Sequence, residues 1–108
     1  MFGSMKLTKD QKIYRISGKS MEYDSMYQGD YLVVDMKKII KNQDIVVFEM
    51  PDKSILVKHY YKKGKHQYFY PFNIKDPLPE TGRLMDDAYI LGKVVAIICE
   101  HKRKHKKI

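Results

Sequence analysis

The stretch DIVVFEMPDKSILVKHYYKKGKHQYFYPF, residues 44–72, decides the fold class of this 108-residue chain. It contains runs rich in β-branched and aromatic residues, a composition that favours strands over helices. Segments with turn-forming proline, aspartate and glycine separate the runs, as in β-hairpins. The predicted strands are 45–50, 54–61 and 66–72, and the predicted turns are 51–54 and 62–65.

The same kind of pattern continues on both sides of this stretch. Alternating or continuous apolar residues predict further strands at 12–17, 30–36 and 89–98. The glycine within 89–98 is expected at a β-bulge, and this long apolar run is expected to form an exposed edge. One or two helical turns are expected at 20–28, and two prolines and a glycine predict a loop at 73–82. The predicted fold class is mostly β, built of short, twisted antiparallel strands.

Composition restricts the classes of protein to which the chain can belong. Hydrophobic residues make up 44% of the chain, enough for one folded domain. The net charge of +8 allows contact with an acidic partner such as nucleic acid. The single cysteine, Cys99, excludes an internal disulfide and indicates a reducing, cytoplasmic location. No apolar run approaches the ~20 residues of a membrane span, so no membrane contact is expected.

The segment GKSM (18–21) places a serine just ahead of a predicted turn and strand. A serine nucleophile needs a base, either a histidine oriented by a carboxylate or a lysine. Two histidines lie in the basic tail, and the other two, His59 and His66, lie in or beside strands without an obvious carboxylate partner. Strand alternation instead places Lys58 on one face with Leu56 and Tyr60, and His59 on the opposite face at the surface. Apolar surroundings disfavour the ammonium form of lysine, which makes Lys58 a candidate base.

Several segments in order resemble the catalytic domain of the LexA and UmuD family of Ser-Lys peptidases, which cleave themselves. These segments are Gly18-Lys19-Ser20-Met21, Gly29-Asp30 followed by YLVVD, DIVVFEM, ILVKHYYKKG, YPFN (70–73) and YILGKVVAII. Lys58 follows Ser20 by 38 positions (58 minus 20), which is close to the separation in the family. The resemblance extends from about Ile13 to Ile98.

The resemblance implies a LexA/signal-peptidase-like fold and acyl transfer by a serine endopeptidase. Ser20 would be the nucleophile and Lys58 the general base, with the backbone N–H groups of Lys19 and Ser20 forming the oxyanion hole. Gly29 and Asp30 would shape the turn. No cofactor or metal is expected. The family further implies a homodimer, activation by a RecA-type nucleoprotein filament, and a role in the SOS response, in repression of transcription or in mutagenesis.

Three domain segments follow from this interpretation. Residues 1–12 form an N-terminal extension whose FGSM sequence resembles a cloning remnant, 13–100 form the LexA-like peptidase domain, and 101–108 form a basic tail that is expected to be disordered. The small dipeptide at which relatives cut themselves does not occur before Ser20, and a helix-turn-helix domain is also missing. The chain therefore fits an excised catalytic domain, a processed product resembling cleaved UmuD, or a member, LexA-like or phage-repressor-like, that cuts another chain.

Other functions remain open at this stage. The same fold could serve as a non-catalytic module for dimerisation or for binding a polymerase. Direct contact with DNA is a further alternative, because aromatic residues and lysines interleave in KHYYKKGKHQYFYPF (58–72) and the surface is basic. A signal peptidase shares the dyad and the fold core, but the absence of a membrane segment argues against it.

Overall fold

The computed structural model of the chain describes residues 6–17, 27–70 and 83–99, together with the backbone of 106–107. Of Arg83 and Leu84, the backbone alone is described. The segments 18–26 and 71–82 lie outside the described residues, and so do the predicted helical turns within 20–26 and the predicted loop at 73–82.

The described residues form eight strands and no helix. Their bounds are β1 Gln11–Arg15, β2 Tyr31–Asp35, β3 Ile45–Glu49, β4 Ile55–Lys63, β5 His66–Tyr70, β6 Arg83–Leu84, β7 Tyr89–Ile98 and β8 Lys106–Lys107. All of their pairings are antiparallel, in one sheet. The predicted mostly β fold is confirmed, and the predicted strands recur with ends shifted by at most two residues, apart from residues 71–72 of the strand predicted at 66–72, which lie outside the described residues. The short strands β6 and β8 were not predicted.

The two hairpin turns explain why β3, β4 and β5 follow one another in the sheet. Between β3 and β4, the amide of Met50 donates to the carbonyl of Ser54 at 2.9 Å, and Lys53 has a positive φ of 73°. Between β4 and β5, Gly64 has a φ of 62°, a left-handed conformation that glycine adopts without strain. Both turns lie in the segments for which turns were predicted.

The strand β7 lies in the interior of the sheet, because the order of the strands is β1-β2-β7-β3-β4-β5-β6. It pairs with β2 along one side and with β3 along the other, and near its end with β8. The prediction that residues 89–98 form an exposed edge is therefore wrong. A run of apolar residues fits a strand with neighbours on both sides equally well, and periodicity does not separate the two cases.

The strand β3 is buried on both faces and divides the apolar core in two. On one face, Ile45 and Val47 pack in a cluster whose buried members are Ile16, Leu32, Val34, Ile45, Val47, Val94 and Ile97. On the other face, Val46 and Phe48 pack in a second cluster with Tyr60, Phe69 and Met85. We call these the first face and the second face of the sheet. Side chains that alternate along β3 thus bury both faces of the strand.

Gly92 allows β7 to approach β2 closely. A Cβ atom at this position would lie 2.6 Å from the carbonyl oxygen of Asp35 and 2.7 Å from Cγ1 of Val34. The pairing of β7 with β3 shifts register beside it, since Val47 pairs with Gly92 and Phe48 pairs with Ile90. The extra residue, Leu91, forms the irregularity expected of a bulge, next to the glycine as predicted.

The basic segment 101–108 contains the two-residue strand β8, whose register partners are Ala96 and Ile97 of β7. The backbone of Lys106 and Lys107 thus pairs with β7, and the expected disorder of the segment as a whole stays a prediction. Pairing in a sheet uses backbone N–H and C=O groups, so lysine side chains do not prevent it. The rest of this segment lies outside the described residues.

Candidate active site

The segment that carries Ser20 and Lys19 lies outside the described residues, but the two chain ends that flank it are joined by hydrogen bonds. The amide of Ile16 donates to the carbonyl of Asp30 at 2.8 Å, and the amide of Gly29 donates to the carbonyl of Ile16 at 3.0 Å. Gly29 has a φ of 95°, in the region where only glycine is unstrained. The buried carboxylate of Asp30 accepts from the amide of Tyr27 at 3.0 Å. Gly29 and Asp30 thus form the turn that the sequence predicts.

The candidate base, Lys58, lies near the middle of β4 and is half-buried. Its register partner on β3 is Val46, which is fully buried in the second face. Along β4, Leu56 and Tyr60 also pack against the second face. Because directly paired residues and alternate residues of a strand point to the same side, Lys58 belongs to the second face. The predicted apolar neighbourhood of Lys58 is confirmed.

Aromatic rings fill the second face next to Lys58. The rings of Phe48 and Phe69 stack with centroids 4.1 Å apart, and Tyr60 meets Phe69 edge-on at 5.7 Å. Burial raises the pKa of the Tyr60 hydroxyl above its ordinary value, because the phenolate would lose its hydration. Tyr60 therefore stays neutral on this face at physiological pH.

Lys58 lies in a row of residues that pair in register across successive strands of the sheet, and this row contains charged groups. Starting from β1, the row consists of Gln11, Asp35, Lys93, Val46 and Lys58. The Nζ of Lys93 lies 3.0 Å from Oδ2 of Asp44, and both side chains are about four-fifths buried, at 23% and 21% exposure. Asp44 was not among the predicted site residues, nor was Lys93. Their ion pair joins β7 to the residue just before β3, which is distant in sequence, and no pattern in either segment indicates it.

The carboxylate of Asp35 is held by other donors. Its Oδ1 accepts from the amides of Lys37 and Lys38 at 2.9 and 3.0 Å, and its Oδ2 accepts from Nε2 of Gln11 at 3.3 Å. The hydrogen bond from the Lys37 amide is the main reason why the pKa of Asp35 lies below its ordinary value. The Asp35 side chain therefore stays ionised while it closes the turn after β2.

A cavity of about 380 Å³ opens next to Leu56, two residues along β4 from Lys58. Its lining consists of Met50, Pro51, Asp52, Ser54, Leu56 and Met85. Hydrogen bonds from the hydroxyl and the amide of Ser54 lower the pKa of Asp52. The cavity thus combines an apolar wall with an ionised rim, and two residues of strand separate it from Lys58 by about 7 Å along β4.

The two strand histidines differ from the prediction. His59 is buried, with 5% of its surface exposed, so its assignment to the surface is wrong. Its Nδ1 lies 3.0 Å from the carbonyl oxygen of Gln43 and must carry the hydrogen there, because a carbonyl only accepts. His66 has the carboxylate partner that the sequence did not reveal, since its Nδ1 lies 2.5 Å from Oδ2 of Asp86. Asp86 follows His66 by 20 residues, and the spacing gave no signal for this contact.

His66 and Asp86 are nevertheless not placed to act together with Lys58 in catalysis. His66 pairs in register with Lys63, which alternation along β4 places on the face opposite Lys58. Asp86 also accepts from the amide of Gln67 at 2.9 Å, so it fastens the turn between β6 and β7 to β5. That hydrogen bond is the largest of the effects that lower the pKa of Asp86. The contact between His66 and Asp86 is therefore explained by its role in holding this turn against β5.

The described part of the chain offers neither a metal site nor a spanning helix. Within it, no group of three or more histidine, cysteine, aspartate or glutamate side chains could hold a metal ion. Within the same residues, no helix is long and apolar enough to cross a membrane.

Comparison with known proteins identifies the class of protein to which this sheet and this lysine-bearing face belong. The sequence matches the Peptidase S24-like family over residues 2–95. The chain belongs to this family, which confirms the predicted resemblance to the LexA-like catalytic domain.

Individual relatives agree with the family. LexA repressor 2 of Nocardia farcinica is 36% identical over 87 residues, which cover 80% of this chain and 33% of that protein. The LexA repressor of Mycobacterium leprae is 34% identical over 87 residues, covering 80% of this chain and 34% of the relative. The LexA repressor of Brevibacillus brevis is 30% identical over 94 residues, covering 84% and 43%. The chain thus spans between a third and a half of the length of these relatives.

Proposed function

We propose that the chain is a serine endopeptidase domain in which Ser20 is the nucleophile and Lys58 is the general base. The observation that carries the proposal is the position of Lys58 on the second face of the sheet, half-buried and opposite the fully buried Val46. Low polarity around an amine favours its neutral form, and only the neutral form accepts a proton. Membership of the S24 family supports the pairing of this lysine with Ser20.

The reaction is acyl transfer in two stages. Neutral Lys58 takes the hydroxyl proton of Ser20 while the serine oxygen attacks the peptide carbonyl, and the backbone N–H groups of Lys19 and Ser20 stabilise the resulting oxyanion. The protonated amine of Lys58 then donates this proton to the leaving nitrogen, and an acyl-serine ester forms. Water, activated by the same lysine, hydrolyses the ester and regenerates Ser20.

The cavity next to Leu56 supports the proposal from the substrate side. A peptide in extended conformation places alternate side chains about 7 Å apart, the same spacing as that between Lys58 and Leu56 along β4. We propose that the bound peptide runs along β4, which would place a side chain two residues from the scissile bond at this cavity while the carbonyl lies at Lys58. The methionines in the lining, Met50 and Met85, adapt to side chains of different shape.

The biological setting that we propose is inferred from the similar proteins. Proteins named LexA repressor match this chain over four-fifths of its length. We infer that the domain serves regulated proteolysis, of its own longer chain or of another, in a stress or SOS response in the cytoplasm. A homodimer, a RecA-type filament as activator, and DNA contact through the basic surface or an attached DNA-binding domain are part of this proposal.

Cleavage of a defined peptide tests the proposed function. A peptide with an alanine-glycine or cysteine-glycine dipeptide, which the family resemblance indicates, is incubated with the protein at rising pH. Cleavage should accelerate as Lys58 loses its proton, and Ser20→Ala or Lys58→Ala should each reduce the rate by about 10³-fold or more. Lys62→Ala, on the same face but exposed at the end of β4, is the matched control and should cut like the wild type.

The alternative is a non-catalytic module on the same fold. It predicts that the wild-type protein leaves every such peptide intact across the pH range, although all variants fold. Far-UV circular dichroism of each variant separates loss of chemistry from loss of the fold. An inert wild-type protein would refute the peptidase assignment.

A further inference from the structure

Asp44 lies within reach of two lysines on the second face of the sheet. The amide of Tyr60 donates to the carbonyl of Asp44 at 2.8 Å, so Asp44 lies opposite Tyr60 and diagonally from Lys58. Diagonal neighbours on adjacent antiparallel strands have Cβ atoms roughly 7–8 Å apart, which a lysine side chain can span. On the other side of β3, Lys93 is the register partner of Val46 and is likewise diagonal to Asp44.

The structure pairs this carboxylate with Lys93. The Nζ of Lys93 approaches Oδ2 of Asp44 to 3.0 Å, and the same oxygen accepts from the amide of Lys41 at 2.7 Å. The second carboxylate in the row, Asp35, is held by the amides of Lys37 and Lys38. The partly buried charge of Lys93 is therefore compensated mainly by Asp44.

An uncompensated carboxylate at this position would oppose the proposed chemistry. A negative charge close to an amine stabilises its ammonium form, whereas the general base must be neutral. We propose that Lys93 is a positioning residue for the reaction: by neutralising Asp44, it lets Lys58 release its proton at a lower pH. This inference rests on the proposed function, because it assigns the effect to Lys58 as the base.

The other titratable groups around Lys58 on the described part of the second face are few. On β4 they are Tyr60 and the exposed Lys62, and on the β3–β4 turn Asp52 is bonded to Ser54. On β5, the described side chains of this face are Gln67 and Phe69, which do not titrate. Asp44 next to β3, Lys93 on β7 and Asp35 beyond it follow, and Arg15 and Tyr31 lie on the same face at the far ends of β1 and β2, where the guanidinium of Arg15 is 5.3 Å from the centroid of the Tyr31 ring. Among these described residues, the Asp44–Lys93 pair is the charged feature closest in register to Lys58.

A charge-removal cycle tests this role. The pH dependence of peptide cleavage is measured for the wild type, Lys93→Met, Asp44→Asn and the double variant. Lys93→Met leaves the carboxylate uncompensated and should move the midpoint of the profile upward by about half to one pH unit, the effect of a unit charge roughly 10 Å away. Asp44→Asn leaves the cation and should move the midpoint downward by a similar amount. The double variant restores neutrality and should return close to the wild-type midpoint.

The chain offers matched controls on the opposite face. Lys63→Met and Glu49→Gln remove the same charges from alternate positions of β4 and β3, and should leave the midpoint unchanged. Asparagine at position 44 keeps an oxygen that can accept from the Lys41 amide, so the turn persists. Equal shifts in the controls, or no shift in either single variant of a cleaving enzyme, would overturn the role of Lys93.

A second measurement separates this inference from the proposed function. Lysines are reductively methylated with ¹³C, and the Lys58 signal, assigned by its loss in Lys58→Arg, is titrated by NMR in the same four proteins. The opposite shifts of the two single variants should appear here too. If the wild type fails to cleave, the proposed function fails, and the Lys58 titration still decides whether the Asp44–Lys93 pair controls its protonation.

Discussion

Lys58 and His59 are neighbours on β4, yet the two faces of the strand give them different surroundings. His59 lies on the first face, is buried, and its Nδ1 is fixed at 3.0 Å from the carbonyl of Gln43. Lys58 lies on the second face beside aromatic side chains, a cavity and the Asp44–Lys93 pair. The comparison teaches that neighbouring titratable side chains of one strand meet different surroundings: His59 is buried and bonded to the backbone, whereas Lys58 is half-buried on a face that also contains charged groups and, two residues along β4, a cavity.

Substitution of Gly92 should have the largest effect on stability, because it disturbs the packing from which both faces are built. In Gly92→Ala the new Cβ would meet the carbonyl oxygen of Asp35 at 2.6 Å, and β7 is held between β2 and β3. We expect the free energy of unfolding to fall by about 2–3 kcal/mol, as for other overpacked sites. Urea unfolding measures it.

Gly64→Ala is the control for this comparison. Gly64 has a positive φ of 62°, but a Cβ atom added there would have no neighbouring atom within 4 Å, so only backbone strain is added. Its cost should be about 1 kcal/mol. Equal losses for the two variants would show that β7 does not approach β2 as closely as described.

Replacement of His59 should have a smaller effect, and on stability alone. His59→Leu removes the hydrogen bond to the Gln43 carbonyl. Because Gln43 is exposed, water can donate to this carbonyl in place of the histidine. We expect a loss of about 1–2 kcal/mol in urea unfolding, of which His59→Asn should recover a part by restoring a donor near the δ position. The midpoint of the cleavage profile should not move, since His59 faces away from Lys58. A shift of this midpoint in His59→Leu as large as that in Lys93→Met would contradict the assignment of His59 and Lys58 to different faces of the sheet.

The sequence predicts much of this arrangement and misses a definable part. Alternation along 54–61 placed Lys58, Leu56 and Tyr60 on one face, because this period is a local property of the chain. It did not reveal that β7 is interior or that His66 contacts Asp86, since both depend on which strands become neighbours. The burial of His59 was missed for a related reason: its partner, the Gln43 carbonyl, is a backbone group that no side-chain pattern marks. Lys93 and Asp44 likewise come together only through the strand order.

The smallest effect is expected from acid at Asp35, which lies three strands away from Lys58 in the same row of paired residues. Its pKa is lowered in the folded state, so the carboxylate contributes stability that is fully present above its unfolded pKa of about 4 and is lost as pH falls through the lower folded value. Urea unfolding between roughly pH 2 and 6 should show this decline, and Asp35→Asn should flatten it. An unchanged slope in Asp35→Asn would contradict the assigned hydrogen bonds. In the wild-type protein Asp35 stays ionised over the higher pH range in which cleavage is measured, so its own titration does not contribute to the midpoint of the cleavage profile.

The distance between Oγ of Ser20 and Nζ of Lys58 tests the central claim most directly, and a high-resolution crystal structure of the wild-type protein would measure it. The account predicts that the two atoms lie within hydrogen-bonding reach, about 2.6–3.2 Å, with the amine shielded from bulk water. A separation well beyond that reach, with the Lys58 amine surrounded by solvent, would contradict the peptidase mechanism and leave a β-rich binding domain.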